Sequence, residues 1–243
     1  MKRVGHKGSG HVAPGNTVAS FDAALEAGVD MIEFDVLPRD LRDPERAELV
    51  LCHDYEHLAK GPVLTFEEGL DHLAAEAFGA VHFNVDLKTR GYELRVVEAL
   101  RERGLVERVL ISTHHLESLD RIRAAEPRLK LGLSVPNVKR DYTESKLLVL
   151  PALIALQAAR LIAPVRAARL IRSGRCDALM AHWRFVTRRL VEAVQGAGGE
   201  LYVWTVDEAP VIRRLEALGV DAVISNDPRL FAEAGRAADA GTA

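Results

Sequence analysis

The chain has 243 residues, of which 48% are hydrophobic and 28% are charged. This composition is ordinary for a globular protein and excludes a disordered chain, a collagen-like chain and a disulfide scaffold. Lysine and arginine number 32 against 35 acidic residues, so the formal net charge is −3 and nucleic acid is not an expected partner. The length also matches eight strand–helix units of about 30 residues, the usual size of a (β/α)8 barrel.

Short apolar segments alternate with helical patterns along the chain, and eight of these segments are predicted β-strands. The predicted strands cover residues 3–8, 31–37, 81–88, 108–113, 130–136, 178–183, 201–206 and 222–226. Several are apolar at nearly every position, which is typical of parallel strands buried on both faces. A ninth segment, 49–53, follows the second strand too closely for a helical crossover, so we expect it to pair antiparallel with that strand.

Start and stop signals mark the helices between these strands. Asn16 is predicted to cap a helix that ends before Gly28, and Thr65 and Glu68 have the spacing of a capping box. A later helix is expected to begin at Pro210 and to end before a glycine. The alternation of strands and helices favours a closed βα barrel or a doubly wound sheet. We expect a single domain over residues 1–243.

The connection between the fifth and sixth predicted strands, residues 137–177, is unusually long. Between residues 145 and 176 it contains no aspartate or glutamate. Its cations are Lys146, Arg160, Arg166, Arg169, Arg172 and Arg175. We expect Pro151 and Pro164 to divide it into separate helices. One interpretation is an ordinary crossover packed on the barrel. The other is an apolar and basic lid, or a contact of residues 146–175 with a membrane surface.

Three features bear on the compartment of the protein. The two cysteines do not suggest a disulfide framework, and the N-terminal sequence lacks the apolar segment of a secretory signal. No stretch of 18 residues is purely apolar. We therefore expect a cytoplasmic protein, with peripheral membrane association as the alternative that the long connection raises.

Acidic side chains lie on two predicted strands near the end where a βα barrel builds its active site. Glu33 and Asp35 are two residues apart and therefore point to the same side of a strand. Two carboxylates on one buried face repel each other, and a divalent cation removes the repulsion. All-oxygen ligands suit Mg²⁺ or Ca²⁺, with Mn²⁺ as a further candidate. Asp86 is a candidate third ligand, and Lys88 is a candidate to balance charge or contact an anion. Taken alone, the first pair also fits a solvated strand edge.

Two histidines, His6 and His53, end short apolar segments. A lone histidine is more often structural, but two beside a carboxylate pair indicate an acid/base couple that works near neutral pH. Lys7 reaches the same site only if the strand bends, which Gly8 permits. The glycine-rich loop 8–15 leads into a helix N-terminus, which can hold a phosphate through its free N–H groups. These features predict metal-assisted hydrolysis of a phosphate ester.

Seven short motifs, in order along the chain, resemble those of the glycerophosphodiester phosphodiesterases. They are His6-Lys7-Gly8, Pro14-Gly15-Asn16-Thr17, Glu33-x-Asp35, His53-Asp54, Asp86-x-Lys88, Trp204-Thr205-Val206 and the segment 219–228. The resemblance implies a (β/α)8 TIM barrel that uses a divalent cation. It also implies hydrolysis of glycerophosphodiesters to glycerol 3-phosphate and an alcohol.

The resemblance further implies roles for eight side chains. They are His6 and His53 as general acid and base, Glu33, Asp35 and Asp86 as metal ligands, Lys7 and Lys88 as phosphate-facing cations, and Trp204 as a wall for the glycerol or alcohol. In the implied mechanism a glycerol hydroxyl of the substrate attacks phosphorus. One histidine accepts its proton, the other protonates the leaving alcohol, and water then opens a cyclic phosphate.

The chain departs from the usual family pattern at four positions. Lys7 replaces an arginine and keeps the charge without the bidentate fork. Gly15 replaces a glutamate, which removes a hydrogen bond expected to fix the loop. Asp86 replaces a glutamate and is one methylene shorter. Thr113-His114 replaces Ser-Phe, which makes the pocket wall more polar. These differences indicate a divergent subgroup.

Other functions remain as alternatives at this point. The same chemistry suits a lysophospholipase D that acts on lysophospholipids at a membrane surface. A barrel that binds phosphodiesters without turnover is another reading, but the joint presence of His6, His53, Glu33 and Asp35 argues against it. A sugar-phosphate isomerase is less favoured, because no feature peculiar to that chemistry stands out.

Overall fold

The computed structural model describes residues 1–136 and 149–240, in which strands and helices alternate. The strands are β1 (Lys2–Gly5), β2 (Met31–Pro38), β3 (Leu49–Leu51), β4 (His82–Leu87), β5 (Val109–Thr113), β6 (Lys130–Val135), β7 (Ala178–His182), β8 (Glu200–Trp204) and β9 (Ala222–Ser225). The helices are α1 (Val18–Glu26), α2 (Tyr55–Leu58), α3 (Phe66–Leu73), α4 (Glu93–Glu102), α5 (Leu116–Ala125), α6 (Val149–Arg172), α7 (Arg188–Gln195), α8 (Ala209–Leu218) and α9 (Arg229–Ala240).

Eight parallel strands close into a barrel. β1 pairs with β2 on one side and with β9 on the other, which joins the two ends of the sheet. A doubly wound sheet keeps two open edges, so this closure excludes that alternative and confirms the predicted (β/α)8 TIM barrel. β3 pairs antiparallel with β2, as predicted for residues 49–53.

The helix caps confirm two predictions and correct a third. Thr65 and Glu68 form the capping box of α3, and Gly219 ends α8 with a φ of 82°. The N-cap of α1 is Thr17, so the prediction of Asn16 as the cap is wrong. Asn16 has a φ of 61° and is buried, because its amide turns inward toward a buried carboxylate. The Thr17 hydroxyl accepts from the Ser20 backbone N–H in its place.

Within the described residues of the long connection, α6 runs from Val149 to Arg172 without a break at Pro164, so the prediction that Pro164 divides the connection is wrong. The prediction for Pro151 depends on residues that precede α6 and stays a prediction. Pro151 lies in the first turn of α6, where backbone N–H groups have no partner within the helix. Pro164 removes a single internal hydrogen bond. The first part of the connection, residues 137–148, lies outside the described residues. No helix within the described ranges is both long and apolar enough to cross a membrane.

Two apolar layers surround the strands. The larger one lies between the strands and the helices. The smaller one fills the barrel interior and consists of Val4, Met31, Leu110, Ala178, Met180, Tyr202, Ala222 and Ile224. Side chains alternate along each strand, so the same inward face continues two residues further toward the C-terminal end. There it carries Glu33, Ser112, His182 and Trp204, and this polar layer forms the mouth of the barrel.

Candidate active site

Three carboxylates meet at the barrel mouth. Glu33 and Asp35 lie on β2, and Asp86 lies on β4 directly opposite Asp35. One oxygen from each side chain lies within 4.8 Å of the other two. All three residues are buried, with exposed fractions of 4%, 0% and 8%. The structure therefore brings together the three predicted metal ligands.

Lys88 is the cation that neutralises part of this cluster. Its Nζ lies 2.5 Å from Asp35 Oδ1 and 2.6 Å from Asp86 Oδ2. Burial lowers the pKa of Lys88, but the three carboxylates outweigh it and raise that pKa well above its ordinary value. Burial and the charge of Asp35 raise the pKa of Glu33. Burial also opposes ionisation of Asp35, but Lys88 and the two catalytic candidates His53 and His6 hold its pKa well below the usual range.

The residues of this cluster fit a divalent cation. Asp35 Oδ1 is completely buried, and it lies 2.5 Å from Lys88 Nζ, a cation that also contacts Asp86. Three carboxylates against one lysine leave an excess of negative charge in a buried site. An all-oxygen set of this kind suits Mg²⁺ or Ca²⁺ better than zinc.

Two uncharged side chains orient the carboxylates, and the sequence reasoning missed the role of both. Asn16 Nδ2 donates to Asp35 Oδ2 at 2.8 Å, and the Asp35 backbone N–H donates to Asn16 Oδ1 at 3.1 Å. Ser112 Oγ donates to Asp86 Oδ1 at 2.6 Å. Such partners hold metal-binding carboxylates in one orientation. The place of Asn16 within a family motif was the available signal for it.

His6 follows directly after β1 and reaches the carboxylate cluster. Its Nε2 lies 3.8 Å from Glu33 Oε2, and its Nδ1 lies 2.6 Å from Asn226 Oδ1. Burial lowers the pKa of His6 to about 4, although Asp35 acts in the opposite direction. The ring is therefore neutral near pH 7 in the absence of bound ligands, with one nitrogen available to accept a proton.

The bend expected after the first strand is present. β1 ends at Gly5, and Lys7 and Gly8 have φ values of 53° and 82°. The Lys7 backbone N–H donates to Glu33 Oε2 at 2.8 Å. The Lys7 side chain then passes against Gly15, where an added Cβ would lie 2.8 Å from Lys7 Cβ. The Lys7 side chain therefore occupies space that a side chain at residue 15 would fill.

His53 follows β3 and is held by its neighbour. Its Nδ1 lies 2.9 Å from Asp54 Oδ2, and the other Asp54 oxygen caps α2 through the His57 backbone N–H at 2.8 Å. Burial raises the pKa of Asp54, but hydrogen bonds from His53 and His57 outweigh it and lower that pKa. A cavity of about 510 Å³ is lined by His53, Lys7 and Asn226 together. Lys7 and His53, which lie far apart in the sequence, thus share one cavity.

Trp204 lies at the end of β8, among histidines that the sequence did not single out as a group. The centroid of its ring lies 5.3 Å from that of His182 and 6.4 Å from that of His114. His182 ends β7 directly opposite Trp204. Its position one residue before the end of a predicted strand was the signal that could have found it. This aromatic group belongs to the β5–β8 side of the mouth, whereas the carboxylates belong to β2 and β4.

The sequence model of the glycerophosphoryl diester phosphodiesterase family matches residues 6–63 and 63–230. The chain belongs to this family. It is a phosphoric diester hydrolase. Membership agrees with the resemblance stated from the sequence.

Relatives of this family match nearly the whole chain. A glycerophosphodiester phosphodiesterase of Caldanaerobacter subterraneus subsp. tengcongensis is 27% identical, with 93% of each chain covered. A crystal structure from Agrobacterium tumefaciens, described as a putative glycerophosphoryl diester phosphodiesterase, has a TM-score of 0.75 at 16% identity and covers 98% and 99% of the two chains. A phosphodiesterase of Oleispira antarctica, solved in complex with the product sn-glycerol-3-phosphate, has a TM-score of 0.70 at 20% identity and covers 98% and 97%. The two structures support the barrel fold.

Proposed function

We propose that this enzyme hydrolyses glycerophosphodiesters to glycerol 3-phosphate and an alcohol, with one divalent cation held by Glu33, Asp35 and Asp86. The observation that carries the proposal is the buried excess of carboxylates over Lys88, with His6 Nε2 3.8 Å from Glu33 Oε2. The product bound to the Oleispira antarctica relative supports the choice of substrate. Mg²⁺ and Ca²⁺ are the first candidates for the cation, with Mn²⁺ as the alternative.

In this proposal His6 and His53 carry the protons. A hydroxyl of the glycerol moiety forms a new bond to phosphorus as the bond to the alcohol breaks; one histidine accepts the hydroxyl proton and the other protonates the leaving oxygen. Water then opens the cyclic phosphate with the roles reversed. A bound cation supplies positive charge to the phosphoryl oxygens. Lys7 and Lys88 add charge to the same oxygens, and Trp204 forms a wall for the organic group.

A metal and substrate screen tests this proposal. The protein is freed of metal with EDTA and then assayed with Mg²⁺, Ca²⁺ or Mn²⁺ against glycerophosphocholine, glycerophosphoethanolamine and glycerophosphoinositol. We expect glycerol 3-phosphate only after a cation is restored. Full activity of the metal-free protein would contradict the role of the three carboxylates, and no release from any of the diesters would contradict the substrate class.

A second candidate, a peripheral contact with an anionic membrane on the cytoplasmic side, is favoured by the outer face of α6. Leu161, Ile162 and Val165 are 64%, 62% and 61% exposed on that face. Arg166 and Arg169 are exposed beside them, and neither forms an ion pair with any residue in the described ranges. Apolar side chains flanked by exposed cations suit an anionic lipid surface. In this alternative a lysophospholipid is the substrate and reaches the site from the membrane.

Vesicle co-sedimentation separates the two candidates. We expect the protein to bind phosphatidylglycerol vesicles at low salt, and the paired substitution of Leu161→Ser and Ile162→Ser to abolish binding. Leu94→Ser is the matched control, since Leu94 is 57% exposed on α4. Choline release from lysophosphatidylcholine is compared with release from glycerophosphocholine. The membrane proposal is wrong if anionic vesicles do not bind the protein at low salt.

A further inference from the structure

A series of hydrogen bonds connects His6 to an acidic residue at the rim of the barrel mouth. Asn226 follows β9, and its Oδ1 lies 2.6 Å from His6 Nδ1. The other end of the same amide, Nδ2, donates to Asp207 Oδ2 at 2.8 Å. Asp207 lies in the loop after β8 and also accepts from the Asn226 backbone N–H at 2.8 Å. Asp207 thus holds Asn226 by both its backbone and its side chain.

The chemistry of these groups determines the direction of every hydrogen bond in the series. A carboxylate only accepts, so the amide nitrogen of Asn226 must face Asp207 and its carbonyl oxygen must face His6. The reverse orientation would place two acceptor oxygens 2.8 Å apart. An amide carbonyl oxygen also only accepts, so the contact at 2.6 Å requires a proton on His6 Nδ1.

We propose that Asn226, oriented by Asp207, is a positioning residue that keeps a proton on Nδ1 of His6. Nε2, which lies 3.8 Å from Glu33 Oε2, is then the nitrogen that exchanges protons with the substrate. The side chain of a free neutral histidine prefers its proton on Nε2, so without the amide the reactive nitrogen would more often already carry a proton. The inference rests on the proposed function, because it describes how one of its two proton-transferring histidines is prepared.

The choice of an amide has a physical reason. The carboxylate of Asp54 lies 2.9 Å from His53 Nδ1, and His53 lies outside the buried carboxylate cluster. His6 adjoins three buried carboxylates, and a fourth negative charge in contact with its ring would add to their repulsion. A neutral amide selects the tautomer without adding that charge. The charge of Asp207 stays one residue further out, on an exposed side chain.

The tautomer is measured directly by NMR on the full chain with ¹⁵N-labelled histidine near neutral pH. Correlations between ring protons and ring nitrogens show which nitrogen carries the proton, and the spectrum of His6→Gln identifies the signals of His6. We expect Nδ1–H in the wild type and a shift toward Nε2–H in Asn226→Ala. In the same variant kcat on glycerophosphocholine falls about 100-fold, while KM changes less than about threefold.

Two further variants make the test specific. Asp207→Asn lets the Asn226 amide turn round, so we expect a mixture of both tautomers. Ser225→Ala is the control, because it removes a 3.1 Å contact of Ser225 Oγ with Asp207 and leaves the amide in place. Its His6 signals should match the wild type. A wild-type His6 with the proton on Nε2, or an unchanged tautomer in Asn226→Ala, would overturn the proposal. An Nδ1–H tautomer without hydrolysis of any glycerophosphodiester would instead contradict only the proposed function.

Discussion

The two ends of the barrel interior differ in how their charged side chains are paired. At the N-terminal end, Lys2 Nζ lies 3.0 Å from Glu200 Oε1 and donates to Tyr202 Oη at 3.0 Å. Lys130 Nζ approaches the same carboxylate at 3.4 Å. Each of these three charged groups has an opposite charge beside it. At the C-terminal end, three buried carboxylates lie together and Lys88 contacts two of them, so the protein alone leaves an excess of negative charge.

This difference separates the part of the barrel that stabilises the fold from the part that binds. The paired charges at the N-terminal end, the closed end of the barrel, stabilise the fold and need no ligand. Unpaired, buried negative charge at the mouth opposes folding and is relieved when a cation binds. Substitutions of the same type at the two ends should therefore have different effects on activity. For Glu→Gln we expect opposite effects on stability.

The largest contrast is expected for histidine at the two ends. His6→Ala and His53→Ala each remove a proton-transferring group and should lower kcat by about 1,000-fold while the circular dichroism spectrum stays unchanged. His82→Ala is the matched control, because His82 begins β4 at the opposite end of the barrel and is exposed. Near-normal turnover in either mouth variant would show that the acid/base assignment is wrong.

Glu33→Gln should remove activity and yet stabilise the metal-free protein. Burial and Asp35 raise the pKa of Glu33, so the folded state binds its proton more tightly than the unfolded state does. The metal-free protein should therefore lose stability as the pH rises above 4.5, the ordinary value for this group. We expect a higher Tm for Glu33→Gln than for the metal-free wild type at pH 7, measured by calorimetry. A lower Tm for Glu33→Gln would mean that the three carboxylates do not repel one another in the metal-free protein.

Gly15→Ala should weaken substrate binding through Lys7. The added methyl group would lie 2.8 Å from Lys7 Cβ and would displace the side chain from its path. We expect kcat/KM to fall about 10-fold, since a displaced charge no longer meets the phosphate. Gly61→Ala is the control, because no atom lies within 4 Å of a Cβ added there. Equal kcat/KM values for the two variants would show that the space at Gly15 does not determine the position of Lys7.

The smallest effect on activity is expected at the closed end, with Glu200→Gln. Burial raises the pKa of Glu200, but Lys2 outweighs it and lowers that pKa, so ionised Glu200 contributes stability that is lost as the pH falls below 4.5. The substitution should cost about 1 kcal/mol of unfolding free energy at pH 7, because the pair is only partly buried. Urea unfolding measures this loss, and kcat should not change. A fall in kcat would show that the two ends are coupled.

The sequence predicted features that depend on neighbours along the chain. Glu33 and Asp35 share a face because side chains alternate along a strand, and this holds wherever the strand lies. Asn16 shows where local reasoning ends. Asparagine is a common helix cap, but here the Asn16 amide donates a hydrogen bond to the buried carboxylate of Asp35 on β2. Thr17 caps the helix instead. Pro164 shows the same for helix breaking, since α6 continues past it.

By itself, the sequence determined the order of strands and helices, the barrel length and the motif residues, because each depends on local periodicity or composition. Only the tertiary structure decided which of these residues meet. The contact of His6 with Asn226 joins residues 220 apart, and that of Lys88 with Asp35 crosses from one strand to the next. Barrel closure through β1 and β9 creates the first of these contacts, and the β2–β4 register creates the second. Neither closure nor register is a property of any short segment, so the chemistry of the site appears only when the barrel is complete.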